Sequence, residues 1–166
     1  IACGRQRKVC IRTRLEGETS PNIPPESGKL ILWDTTHKGQ MGVVSVLLFS
    51  GADIYCRNKS GVTPLMISVS QGHDNIFRLL VDKGSNINLQ DDNGVTALMR
   101  AASRNNEKVV MRLLRAGVDL SVRSEGGLTA ADFARQKEHD ALARWLDALS
   151  DDEGRTEESV NDATLP

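Results

Sequence analysis

The sequence predicts an all-α solenoid: helix-turn-helix units standing side by side, joined by β-turn or hairpin-like connections. The first observation behind this is a period. Gly28, Gly61, Gly94 and Gly127 stand 33 residues apart, and Gly51, Gly84 and Gly117 keep the same interval. Thr63, Thr96 and Thr129 follow the first series two places on, while Leu47, Leu80, Leu113 and Leu146 recur in phase with Val43, Ile76, Val109 and Leu142. Several registers in phase exclude coincidence, and this interval suits a turn plus two stacked helices. The second observation is helical spacing inside each copy, where apolar residues fall on one face.

The chain divides accordingly into units 28–60, 61–93, 94–126 and a shorter 127–149, flanked by residues 1–27 and 150–166. The first unit reads "LILWDTTHKGQ", with Leu30 at the threonine place. Its β-branched and aromatic residues make an intrinsically poor helix. Leu30, Ile31, Leu32 and Trp33 are apolar where an end unit should be polar. Either residues 1–27 fold back over this face or an upstream unit is missing. The second is favoured, because Pro21, Pro24 and Pro25 interrupt residues 1–27 and no helical stripe runs through them.

In the second unit, Thr63 can cap a helix whose first turn holds Pro64, where a missing N–H is harmless. That helix stops at Gly72. A second helix, about Asp74 to Lys83, carries the stripe Ile76, Phe77, Leu80 and Val81 and ends at Gly84. "NINLQDDNG" supplies the turn into the third unit, "GVTALMRAA…KVVMRLLRAGVDL". The last unit, "GLTAADFARQKEHDALARWLDAL", begins at Gly127. Beyond it the acidic "DDEGRTEESVNDATLP" lacks large apolar residues and reads as a disordered tail, as residues 1–27 also do.

These segments resemble ankyrin repeats. "GVTPLM", "GHDNIFRLLVDKGSNIN", "GVTALMRAA", "KVVMRLLRAGVDL" and "VVSVLLFSGADI" fit that family's pattern over about residues 29–149, as three full repeats and a C-terminal capping repeat. The resemblance implies a non-catalytic module that holds other proteins in a groove made by its inner helices and turn tips.

Composition sets bounds of its own. The 166 residues are 39% apolar and 26% charged with a formal net charge of -1. Near-neutrality gives no general reason to expect nucleic acid or a membrane surface as partner. The best candidate for an apolar span, Val43 to Phe49, is far too short to cross a bilayer. Cys3, Cys10 and Cys56 do not make a disulfide framework, so a reducing setting, cytoplasmic or nuclear, is expected. With His37 as the one nearby nitrogen ligand they make no metal site.

Catalytic signatures are missing. No nucleophile elbow, Walker loop, HExxH or dinucleotide glycine pattern occurs. His73 and His139 lie 66 apart, two periods, and read as turn-fixing residues. Asp91, Asp92 and Glu125 belong to the turns. No catalytic residue and no cofactor are expected.

Helical spacing names the groove that the resemblance implies. Arg100, Ser103 and Arg104 share one helix face, matched by Ile67, Ser70 and Gln71 one unit earlier and by Phe133, Gln136 and Lys137 one unit later. Asp34, His37 and Lys38 are the first unit's counterparts, and the turns add Arg57, Lys59, Gln90, Asp92, Arg123 and Glu125. Cations outnumber acids, with Ile67 and Phe133 as apolar anchors meeting water. An acidic, partly apolar peptide or protein segment is the expected partner of a monomeric chain. Reversing the charge of Arg100 and Arg104 is expected to weaken binding without lowering the melting temperature. Two modification sites are candidates: Asn88, which resembles hydroxylated ankyrin asparagines, and Ser150 in the acidic "SDDE". The alternatives are a nucleic-acid regulator using the basic arm Arg5, Arg7, Lys8, Arg12 and Arg14, or a targeting domain of an enzyme.

Overall fold

A threonine at the same place in three successive units starts the same structure three times. In the computed structural model, which describes residues 31–151, the Thr63 hydroxyl accepts from the Met66 N–H at 3.3 Å, Thr96 from Met99 at 3.3 Å, and Thr129 from Asp132 at 3.3 Å. Each threonine is extended, and each satisfies one of the free N–H groups of a helix start. The helices that follow are α3 (Pro64–Gln71), α5 (Ala97–Ser103) and α7 (Ala130–Arg135). Each is followed by an outer helix: α4 (Asp74–Asp82), α6 (Glu107–Arg115) and α8 (Asp140–Asp151). The first pair, α1 (Ile31–His37) and α2 (Met41–Phe49), forms despite its poor propensity. The expected all-α solenoid is what the chain adopts, with no strand among the described residues.

Packing explains the tolerance of α1. The inner helices touch in sequence, α1 on α3, α3 on α5, and α5 on α7, and each also packs on its own outer helix. Helix α5 is therefore enclosed on several sides and buries Ala97, Leu98, Met99, Ala101 and Ala102. The outer helices are striped instead: α4 buries Ile76, Phe77 and Leu80, and α6 buries Val109, Val110 and Leu113. Each such leucine or isoleucine contributes about 1.5–3 kcal/mol on burial. These residues form one continuous core from Leu32 to Leu146.

The turns repeat as faithfully as the helices. Asn58, Asp91 and Ser124 donate their backbone N–H to the carbonyls of Val62, Val95 and Leu128, closing each turn at 3.0–3.1 Å. Neighbouring turns are tied by one backbone bond each. Asp92 N–H donates to the Ser60 carbonyl at 3.1 Å, and Glu125 N–H to the Asn93 carbonyl at 3.0 Å. Gly94 makes this approach possible: its φ is +73°, and a Cβ there would lie 2.6 Å from the Glu125 nitrogen.

Helix α8 continues through Asp151, two residues beyond the end expected at residue 149, so Ser150 is helical. The segments 1–30 and 152–166, with the basic arm, Gly28, Leu30 and most of the acidic tail, lie outside the described residues.

The first pair differs from the others at its free side. Val43 is 44% exposed, whereas Ile76 and Val109 at the same register are 2% exposed. Val46 and Phe49, further along α2, are 64% and 81% exposed.

Candidate protein-binding face

The residues predicted to line the inner-helix face do share it, yet they divide into two kinds. Lys38, Gln71, Arg104 and Lys137 recur 33 residues apart, one beside the last turn of each inner helix, and all are exposed. Lys38 pairs with Asp34 at 2.8 Å. The side chains of Arg104 and Lys137 make no hydrogen bond or ion pair among the described residues. Lys59, on the first turn, is likewise exposed and unpaired. Cations at the end of a helix sit in the favourable field of its carbonyls.

The second kind is held by the chain itself. Arg100 pairs with the Asp91 carboxylate, whose side chain is only 2% exposed, and donates to the Ser70 hydroxyl at 3.0 Å. The other Asp91 oxygen accepts from the N–H groups of Asn93 and Val95, both at 2.9 Å. Arg57 donates to the Gln90 carbonyl, and Arg123 donates to the Gly127 carbonyl at 3.0 Å. Gln90 in turn donates to the carbonyls of Gly94 and Arg123, both at 2.8 Å. Arg57, Arg100 and Arg123 are therefore parts of the frame first.

Register explains why Arg100 is needed. Asn58 closes the preceding turn with its side-chain oxygen, accepting from Ser60 N–H at 3.0 Å and Val62 N–H at 2.9 Å. The Ser124 hydroxyl accepts from Leu128 N–H at 3.2 Å in the last unit. Nine residues after these neutral closers stand Ile67 and Phe133; nine after the charged Asp91 stands Arg100. A buried carboxylate needs a counter-ion, whereas a neutral closer does not.

Two expectations are corrected here. Ile67 does not meet water: it is 8% exposed, because α3 is flanked by both α1 and α5. It belongs to the core and offers no anchor. Phe133 is half-buried against the core. The expectation that reversing Arg100 together with Arg104 would spare the melting temperature also falls, since Arg100 answers a buried charge. Ser103 is half-buried and Gln71 exposed on the same face. The signal that could have found the Asp91–Arg100 pair was in the register comparison of the turn closers.

Residues 32–124 and 83–153 match the family of ankyrin repeats (3 copies). The chain belongs to the ankyrin repeat family. A search of curated proteins finds no match to it. Ankyrin repeats generally serve as protein–protein interaction modules and are typically non-catalytic.

Other polar groups of this ankyrin array are also engaged in holding it. His73 Nε2 lies 3.2 Å from the His37 carbonyl, bridging two repeats, and its ring fills the space beside Gly39. Asn106, at the register of His73, donates to Asp74 at 3.0 Å and caps α6 by accepting from Val109 N–H at 3.2 Å. His139 stands just before α8, half-buried. Asn88 accepts from the Asp119 N–H of the next repeat at 3.0 Å while remaining exposed. The Ser150 hydroxyl donates to the Asp147 carbonyl at 2.8 Å.

A depression of about 460 Å³ opens between α7 and α8, lined in part by Arg123, Thr129, Asp132, Leu146, Asp147 and Ser150. Its carboxylates are occupied, since Arg135 pairs with Asp132 at 2.7 Å and with Asp147 at 2.5 Å. The bond from Thr129 N–H, then that from its hydroxyl, holds the Asp132 carboxyl below its ordinary range. Burial, with Asp53 adding to it, pushes the Cys56 thiol up to about 12, so it is protonated at neutral pH. Among the described residues no group of His, Cys, Asp and Glu could hold a metal, and no helix is long and apolar enough to cross a membrane.

Proposed function

We infer that this ankyrin array is a non-catalytic docking module that binds an acidic peptide segment of another protein along its inner-helix face. The observation that carries this reading is the exposed row Lys38, Gln71, Arg104 and Lys137, with no acid at that register in any repeat. Lys59 extends the positive surface towards the turns. An extended acidic strand following the stack would meet successive cations, gaining charge-assisted bonds and a faster encounter. Phe133 gives it one half-buried aromatic contact. Of the acids on this face, Asp34 is paired with Lys38, while Asp92 and Glu125 sit on turn tips and would set where the strand cannot lie.

A peptide-display selection on the purified chain tests the reading. Enrichment of peptides rich in Asp and Glu is expected, with binding that weakens as salt rises. Arg104→Glu combined with Lys137→Glu should cut affinity for those peptides at least about tenfold, the size expected for two lost charge pairs. Enriched peptides without acidic excess, or full affinity in the double variant, would overturn it.

A further inference from the structure

The open side of the first helix pair asks for a covering, and the chain carries a segment that fits. Val43 lies uncovered at the register where Ile76 and Val109 are buried. Leu47 is likewise only partly buried, where Leu80 and Leu113 are wholly so. Phe49, whose ring lies 4.7 Å below the Lys83 ammonium that follows α4, is apolar at a register that holds Asp82 in α4 and Arg115 in α6. Helix α2 contains no charged residue at all. Such a surface is either an interface or an aggregation hazard.

Residues 8–17 read "KVCIRTRLEG", and residues 108–117 read "KVVMRLLRAG". The second stretch is α6 and its closing glycine, so the helix register of α6 can be laid over the first. Lys, Val, Arg and Gly coincide at Lys8, Val9, Arg12 and Gly17, and Ile11 stands for Met111. Val9 and Cys10 fall on Val109 and Val110, which are 2% and 0% exposed. Leu15 falls on the register of Phe49, apolar in both, where α4 and α6 carry charge. Thr13 replaces the buried leucine, so this copy would pack less tightly than α6. Gly17 precedes Gly28 by 11 residues, one more than separates Gly117 from Gly127, which leaves room for the same turn with one residue inserted.

Against the expectation of disorder for residues 1–27, we propose that residues 8–17 dock along α2 as an outer helix and seal the apolar side of the first repeat. The occupant is then part of this chain, joined to α1 by a linker one residue longer than the other repeats use. Cys10 becomes a core residue, at the register of Val44, Phe77 and Val110.

Alkylation of the native 166-residue chain, read by peptide mass spectrometry, tests this directly. An exposed thiol among Lys8, Arg12 and Arg14 would be activated by those cations. Docked, Cys10 should react at least about tenfold more slowly than Cys3, with the difference vanishing in denaturant. Equal reactivity in the native chain overturns the proposal. In a second measurement, Cys10→Asp in the full chain should speed amide exchange across α2 while α5 and α6 keep their rates. Unchanged α2 exchange overturns it. So does sedimentation as a dimer that Val46→Asp converts to monomer, which would assign the surface to a second copy.

Discussion

Arg100 offers the sharpest test of how this array is held together. Truncating it to alanine leaves the Asp91 carboxylate, 2% exposed, with two backbone N–H donors and no counter-ion. Breaking a buried pair costs about 3–5 kcal/mol. The Arg100 side chain is 23% exposed, so water reaches the vacated side and the expected loss is about 2–3 kcal/mol. For an array of this size that lowers the melting temperature by about 8–12 °C. Urea and thermal unfolding of Arg100→Ala measure it. A second variant separates charge from packing. The repeat before this one closes its turn with Asn58 and places Ile67 where Arg100 stands. Asp91→Asn with Arg100→Ile should therefore recover stability to within about 1 kcal/mol of the natural chain, because neither half of a buried pair is left alone. An Arg100→Ala variant within about 0.5 kcal/mol of the natural chain, in the range of ordinary surface changes, would refute the reasoning.

Two further outcomes follow from the backbone and from titration. Gly39, Gly72, Asn105 and Glu138 occupy one register with φ of +71°, +76°, +53° and +63°, so Glu138→Gly should stabilise the chain by about 0.5–1 kcal/mol in a denaturant titration. Asp132 has a depressed folded pKa, so its stabilisation is complete above the unfolded value near pH ~3.9 and is lost as pH falls through the lower folded value. Asp132→Asn should cost about 0.5–1 kcal/mol at pH ~7, and its difference from the natural chain should shrink towards pH ~3; a difference independent of pH would contradict the capping role.

The solenoid was legible because its signals are local and repeated. Thr63, Thr96 and Thr129 announce caps, and stripes such as Ile76, Phe77 and Leu80 announce buried faces. Helix α1 shows the limit of propensity: β-branched Thr35 and Thr36 are carried into a helix by contact with α3, and the Thr35 hydroxyl donates to the Ile31 carbonyl at 2.8 Å. The binding face was less legible. Spacing alone placed Arg100 and Arg104 on one side of a helix, but only the fold reveals that one answers Asp91 across a turn while the other has no partner among the described residues. Ile67 looked like an exposed anchor because a stripe does not say how closely the neighbouring helices approach.

The backbone ties between successive turns, Asp92 to Ser60 and Glu125 to Asn93, use no side chain from the tips. Mechanical continuity and chemical identity are thereby assigned to different atoms. Lys59, Asp92 and Glu125 can be rewritten without loosening the joint beneath them, so a lineage or an engineer could retune what the array grips while inheriting its rigidity intact.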